Sequence, residues 1–381
     1  MTVFDFIETF LFALSAFTVA YHLFYSIIGG LLKRSDKYAD SRTKHRFAVI
    51  IPAYNDDEYI QKAVFSFLKQ EYPIDCYEIY VVSEQMSAET NQQVSDTPIT
   101  LMRVNFRGKG SKMKAVKAAI NHLPDGLYDM VLIMNADNTV EPDFLEVMNN
   151  TYSSGSNAIQ AHRIRIERSN NSSMLNAISD EINNCIYRAG HVNLGLSSTL
   201  NGSGMAFDFD WVKSIVGQLN DTDDEKAFEA LLLRDRIYVD YLDKAIVYAN
   251  RKEGRRKFYT QRKNWVIAHY HSLFSNILRL PGAIFSGNFD YADRILNWLT
   301  FPRTILLVVI AVMGCISSWY NWLDGLKWWA LVLVLLLAMA FAIPDYLVDN
   351  KFNKAIKSIP AMGVGMILNA LGFLKKKGAI A

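Results

Sequence analysis

Three short apolar runs in the first half of the chain end in acids. Phe47–Ile51 leads into Pro52-Ala53-Tyr54-Asn55-Asp56-Asp57, Ile79–Val82 into Ser83-Glu84-Gln85, and Met130–Met134 into Asn135-Ala136-Asp137-Asn138. Each end has a plain reading by itself. Asp56 could cap the helix that follows, and Glu84 could be an ordinary loop acid. Three polar ends brought to one edge of a sheet would instead form a ligand site.

Other stretches also carry chemistry. Arg107-Gly108-Lys109-Gly110-Ser111-Lys112 is glycine-rich and basic. It lacks phosphate-loop spacing, yet it offers cations and close backbone approach to a phosphate. A solvated basic loop is the alternative. No Gly-x-Gly-x-x-Gly follows the first apolar run, which argues against a dinucleotide fold of the usual kind. Asp221-Thr222-Asp223-Asp224-Glu225 opens a predicted helix that ends near Arg234, and acids are favoured at a helix start. Asn201-Gly202-Ser203-Gly204 is a small polar loop, and Gln261-Arg262-Lys263-Asn264-Trp265 stands before the apolar C-terminal third.

The apolar runs read as strands. Ile99–Val104 adds another, and helical patterns lie between them: Ile60, Ala63, Val64 and Phe67 share one face, and Met113–Ile120 forms a second helix. Near-continuous apolar strands alternating with helices predict an α/β domain, a mostly parallel sheet with helices on both faces. Ala158–Glu167 is strand-like with repeated Arg, and Tyr238–Tyr241 and Ile246–Ala249 read as two short strands.

Composition fits a soluble domain joined to a few membrane segments. The 381 residues are 51% hydrophobic, yet the mean hydropathy is only +0.06. A net charge of +2 gives no basis for nucleic-acid binding. The three Cys, at 76, 185 and 315, have no ligand-like spacing and read as buried thiols.

Phe10–Leu32 carries no formal charge and is long enough to cross a hydrocarbon core of about 30 Å. Asp5 and Glu8 precede it and Lys33-Arg34 follow it, the reverse of a signal peptide, so it reads as a retained anchor. His22 within it reads as a helix-packing residue. Thr304–Tyr320 and Trp328–Val348 read as a hairpin turning between Trp319 and Trp329. Lys33, Arg34, Lys37, Arg303, Lys351, Lys354 and Lys357 flank the spans on what would be the cytoplasmic side, with Lys327 the exception. The expected organisation is an anchor over 1–33, a cytoplasmic domain over 34–270, and a membrane-proximal interfacial segment over 271–301. A transmembrane hairpin over 302–348 and a basic segment over 349–381 complete it. The run Ile359–Leu374 in that last segment reads as interfacial or re-entrant, with a fourth span as the alternative.

In order and spacing these motifs resemble the inverting family 2 glycosyltransferases, whose nucleotide-sugar-binding fold is called GT-A. The layout is similar to that of cellulose, hyaluronan and poly-N-acetylglucosamine synthases and of ceramide glucosyltransferases. The resemblance covers roughly residues 45 to 270. It implies that Ala53, Asp56 and Glu84 hold a nucleotide base and that Lys112 lies near a diphosphate. It implies that Asp137 holds Mg2+ or Mn2+, with Asn135 standing where the family usually has a first Asp. Asn201–Gly204 would line the acceptor site. Asp223-Asp224 stands in place of Glu-Asp, so Asp224 would be the catalytic base, with Asp223 next. Gln261, Asn264 and Trp265 match a Gln-x-x-Arg-Trp motif, with Asn264 replacing Arg. The implied activity is transfer of a sugar from a nucleotide sugar, expected to be UDP-linked, to a polysaccharide or lipid-linked acceptor at the bilayer of a bacterial inner membrane. A glycolipid synthase adding one sugar and an inactive membrane scaffold are the alternatives. The sequence names no protein partner.

Overall fold

The computed structural model describes residues 3–32, 38–106, 111–251 and 255–359. The chain begins with α1 (Val3–Leu31), β1 (Phe47–Tyr54), α2 (Ile60–Leu68), β2 (Tyr77–Glu84), α3 (Ala88–Ser95), β3 (Thr100–Arg103) and α4 (Lys112–His122). It continues with β4 (Met130–Ile133), β5 (Asn138–Val140), α5 (Phe144–Ser153), β6 (Ala158–Arg165), α6 (Asn171–Asn183) and α7 (Gly190–Val192). Then come β7 (Met205–Asp208), α8 (Phe209–Ile215), α9 (Glu225–Arg234), β8 (Val239–Ala249) and α10 (Arg255–Asn276). The last helices are α11 (Leu280–Phe285), α12 (Phe289–Leu299), α13 (Arg303–Tyr320), α14 (Trp322–Ala342) and α15 (Asn350–Lys357).

These elements form two compact units. One comprises Arg34–Glu167 and Gly195–Lys252, and the other Met1–Lys33, Arg168–Leu194 and Glu253–Ala381. The stretch Arg168–Leu194, internal to the expected domain, thus belongs with the apolar helices.

The first unit is built on an eight-stranded sheet in the order β3-β2-β1-β4-β7-β6-β8-β5. β3, β2, β1 and β4 are parallel, β7 runs antiparallel to both β4 and β6, and β5 runs antiparallel to β8. The sheet is therefore mixed, parallel in its first half. β1 is buried along nearly its whole length because it is covered on both faces. Phe47, Val49 and Ile51 pack with Ile60, Val64 and Phe67 of α2 and Phe144 and Met148 of α5. Ala48 and Ile50 pack on the opposite face with Val116 and Ile120 of α4 and Val212 of α8. β8 is one strand rather than two. A register shift opposite Ala161 and His162 leaves Asp243 and Lys244 exposed, so the polar break in the sequence is a bulge within a strand.

Among the described residues, three helices of the second unit are long and apolar enough to cross a membrane: Asp5–Leu31, Arg303–Tyr320 and Trp322–Ala342. α14 begins earlier than expected, at Trp322. Asn321 alone separates α13 from α14 and caps it, its side chain accepting from the Leu323 N–H at 3.2 Å. The helix stops before Pro344, which cannot continue it. Lys327 forms an ion pair with Glu8 at 2.9 Å, which neutralises the exceptional charge. Trp328 is buried edge-on against Phe12, ring centroids 5.2 Å apart. Gly29 is required for close packing, because a Cβ there would lie 2.2 Å from the Cys185 carbonyl oxygen.

Polar residues inside α1 serve that packing. His22 is fully buried, its Nε2 2.7 Å from the Tyr187 hydroxyl. Tyr25 stacks on His191 and donates to Asp293 at 2.8 Å, and His191 lies 3.1 Å from the same carboxylate. The expected interfacial segment consists of the last turns of α10 followed by α11 and α12, with Leu278 and Phe285 largely exposed. Cys76 and Cys185 are half-buried, but Cys315 is exposed on α13, so the expectation of three buried thiols fails there. Lys33, Arg34, Lys37, residues 107–110 of the basic loop and all of the C-terminal run beyond Ile359 lie outside the described residues.

Candidate functional site

β1, β2 and β4 run parallel, so their carboxyl ends share one edge of the sheet. The expected residues are found there. Tyr54 stands opposite Glu84 in the β1–β2 register, and the Asn55 N–H donates to the Glu84 carbonyl at 3.2 Å. Both strands leave the sheet through left-handed residues, Asn55 (φ 49°) and Gln85 (φ 56°). Asn tolerates that conformation, whereas Gln costs about 1 kcal/mol or more there, strain of the kind that collects at functional sites.

Asp56 is buried and does not cap α2 with its side chain; its Oδ2 accepts from the Tyr54 N–H at 3.1 Å. Glu84 is buried at the end of β2. The Ala53 side chain lies in the core, so only its backbone can face a ligand.

Asp137 is buried just beyond β4. Burial alone would raise its carboxyl, but the guanidinium of Arg251, helped by Arg163 and Arg165, more than offsets this and holds it below the ordinary carboxylate value. Arg251 donates from Nε to Asp137 Oδ2 at 2.8 Å and from its terminal nitrogen to Asp56 Oδ1. One cation thus joins the ends of β1 and β4. Arg251 follows β8 with no motif around it, and nothing in the sequence marks it.

Asn201–Gly204 is held from three sides. The buried Gln160 accepts from the Asn201 N–H at 2.9 Å and donates to the Ser203 carbonyl at 3.0 Å. Ser203 Oγ accepts from the Asn135 N–H at 3.1 Å, which ties the loop to the end of β4. Glu229 of α9 accepts from the Leu200 N–H at 2.7 Å. Lys112 opens α4 and donates its ammonium to the Gly202 carbonyl and to Asn135 Oδ1. Desolvation of the ammonium lowers its pKa to about 8, with Glu225 opposing the shift. Lys112 is exposed as a residue, so water screens part of this effect, and the downward direction is what the geometry supports.

The acidic run divides its tasks. Asp223 accepts from the Asn220 N–H at 2.8 Å and stays in the turn. Asp224, and neither Asp221 nor Thr222, is the cap of α9. Its Oδ1 accepts from the Lys226 N–H at 3.0 Å and its Oδ2 from Lys226 Nζ at 3.3 Å. Glu225 reaches further. A Cβ at Gly202 would lie 3.6 Å from Glu225 Oε2 and 3.6 Å from Lys112 Nζ, so these opposite charges flank the bare face of Gly202. Sequence reasoning passed over Glu225 because a first-turn acid has a sufficient electrostatic account. Gln261, Asn264 and Trp265 lie on α10 in the other unit, where Gln261 and Asn264 are exposed and Trp265 stacks on His269 at 5.1 Å.

Among the described residues, no group of three or more His, Cys, Asp or Glu side chains could hold a metal ion. Asp137 and the Asn135 amide oxygen are hard oxygen donors, and Asp56 and Asp137 already converge on a cation, the Arg251 guanidinium. A divalent ion of the Mg2+ type is commonly held by one or two carboxylates together with substrate phosphates. The residues therefore fit a cation that arrives with a diphosphate, and they do not form a cage built in advance.

Residues 45–268 match the model of Glycosyltransferase like family 2. The chain belongs to this family. No curated protein matches it. Among solved structures it is similar to the mannosyltransferase PcManGT from Pyrobaculum calidifontis in complex with GDP-Man and Mn2+, at 18% identity and a TM-score of 0.63, over 97% of this chain and 99% of that one. It also matches S. aureus TarS 1-349, at 17% identity and a TM-score of 0.43, over 83% of this chain and 91% of that one. The likeness to PcManGT shows the fold: a GT-A-like mixed sheet flanked by helices. The protein is a family 2 glycosyltransferase, and three candidate spans make it a multi-pass membrane protein.

Proposed function

We propose that the protein is an inverting glycosyltransferase that moves a sugar from a nucleoside diphosphate to a lipid-linked or polysaccharide acceptor at the membrane. The observation that carries this reading is the pairing of Glu225 and Lys112 across Gly202, beside Asn135. A carboxylate and an ammonium lying together in a family 2 fold support roles as proton acceptor and anion binder.

Asp56, Glu84 and the Ala53 backbone would hold the nucleotide base, and Lys112 would bind the diphosphate. Asp137, with Asn135 beside it, would hold Mg2+ or Mn2+, which when bound offsets charge on the leaving diphosphate. Glu225 would take the proton from the acceptor hydroxyl while the hydroxyl oxygen bonds to the anomeric carbon. The bond from that carbon to the diphosphate breaks, and the electron pair leaves with the diphosphate. Attack opposite the leaving group inverts the centre. Asp224 would position Glu225 by capping α9. Gln261, Asn264 and Trp265 are proposed as further donor contacts. The sheet-bearing unit would face the cytoplasm, with the exposed apolar residues of α11 at the lipid surface.

The test is a panel of UDP- and GDP-sugars supplied to membranes containing the protein, with Mn2+ or Mg2+ and lipid extract, and product size measured. One donor should be consumed and one product class formed. A single added sugar identifies a glycolipid synthase, and long products a polymerase. Failure to bind any nucleotide would leave the scaffold reading.

A further inference from the structure

Arg251 is held firmly in place. It follows Asn250, whose N–H donates to the Asp137 carbonyl at 3.0 Å and whose side-chain amide donates to that carbonyl at 3.3 Å and to Thr139 Oγ1 at 3.2 Å. Those bonds tie the end of β8 to the start of β5, beside the Asp137 carboxylate. The guanidinium then meets three partners: Asp137, Asp56 and the ring face of Tyr59, whose centroid is 5.2 Å away. A planar fork that can donate to two carboxylates while lying on an aromatic ring is particular to arginine.

This arrangement has a consequence for metal binding. A divalent ion approaching Asp137 meets a carboxylate already engaged by a cation, and two cations on one carboxylate repel each other. Removing the guanidinium without replacement leaves Asp56 and Asp137, both buried, without that partner. A metal–diphosphate complex resolves both difficulties together. It gives Asp137 a new cation, its nucleotide base gives Asp56 a new partner, and its phosphate oxygens give the released fork acceptors that it can pair with in bidentate fashion.

We propose that Arg251 is the placeholder cation of the donor site. It holds Asp137 until a metal–nucleotide complex arrives and then passes to the phosphate oxygens, so that the metal binds with the donor and not before it. The proposal rests on the functional reading above, in which Asp137 is the metal ligand.

The experiment measures Mn2+ binding to the full-length protein in nanodiscs by electron paramagnetic resonance, without nucleotide and with UDP, with GDP run in parallel. The parent should bind Mn2+ weakly alone and much more tightly with the nucleotide. In Arg251→Gln, binding of Mn2+ alone should tighten by roughly 10-fold or more, the scale of a lost charged hydrogen bond, while nucleotide affinity falls by about the same factor. Arg251→Lys keeps the charge without the fork and should lie between the two, which also covers a Gln protein that fails to fold. If Mn2+ alone binds both variants no tighter than it binds the parent, the proposal is overturned. Asp137→Ala separates the underlying reading: if nucleotide-supported Mn2+ binding survives in that variant, Asp137 is not the ligand and the functional assignment itself is at fault.

Discussion

Glu225 Oε2 and Lys112 Nζ flank the same bare face of Gly202, while the neighbouring Asp224 turns its carboxylate back onto Lys226. The two adjacent acids therefore differ in what they can do. Asn is as good a helix cap as Asp, so Asp224→Asn should transfer sugar within a few-fold of the parent. Glu225→Gln keeps the shape and loses the base, and it should fall by about 10²–10⁴ in rate. Nucleotide binding should change little in either. Single-turnover rates on the two purified proteins decide it, and the opposite pattern would return the role to Asp224.

Asp137→Ala should lose metal-supported donor binding. The same change leaves the half-buried guanidinium of Arg251 with Asp56 as its one remaining carboxylate partner, so some loss of stability is expected as well. Asp137→Asn, which retains an oxygen ligand, separates these effects. It should keep a thermal midpoint closer to the parent's than Asp137→Ala does, while donor affinity at fixed Mn2+ falls. Equal donor affinity in the parent and both variants would rule out this role.

The sheet and the edge that gathers Asp56, Glu84 and Asp137 were legible because buried parallel strands write themselves as apolar runs, as in Phe47–Ile51 and Met130–Ile133. The helical face Ile60, Ala63, Val64 and Phe67 was legible for the same reason, its periodicity matching burial. What escaped notice depends on chain segments far apart in sequence. Arg251 acquires its meaning only when β8 lies against β5, which brings it to Asp137, 114 positions earlier. Gln160 is an unremarkable residue until its amide bridges both ends of the Asn201–Ser203 turn. The start of α14 was missed because Asp324 and Lys327 interrupt its hydropathy, and Lys327 is neutralised by Glu8 from the other end of the sequence.

Gly204 sets the geometry of the Asn201–Gly204 loop. Its φ is +64°, and a Cβ would lie 2.7 Å from Val247 Cγ2 and 2.9 Å from the Ala161 Cβ. Gly204→Ala combines backbone strain with a clash in the sheet, and it should cost about 1–3 kcal/mol. The thermal midpoint should fall by several degrees. A midpoint within one degree of the parent would show that the loop relaxes freely.

The proposed orientation, with the sheet-bearing unit on the cytoplasmic side, rests on the basic flanks of the spans. In a protein whose three native cysteines are replaced, Trp319→Cys beside the α13–α14 turn should react with an impermeant thiol reagent in intact cells. Lys37→Cys should react only after the membrane is opened. The reverse result would invert the topology.

Lys112 gives the pH dependence. Packing around its ammonium lowers the pKa from the ordinary lysine range towards about 8, with Glu225 opposing. The folded, donor-free protein then releases this proton at a lower pH than the unfolded chain does. Between the two values the unfolded chain binds more protons, so this group's burden on stability is full below about pH 8 and is relieved as pH rises towards the ordinary lysine value. Donor binding has the opposite sign, because a diphosphate prefers the charged form. kcat/KM for the nucleotide sugar should fall as pH rises through the lowered value. kcat should hold to higher pH, since a bound diphosphate raises the lysine again. Lys112→Arg keeps its charge throughout and should remove the alkaline fall, and Lys112→Met should bind donor poorly at every pH. If the alkaline limb of kcat/KM persists unchanged in Lys112→Arg, another group is titrating and Lys112 is not the diphosphate contact.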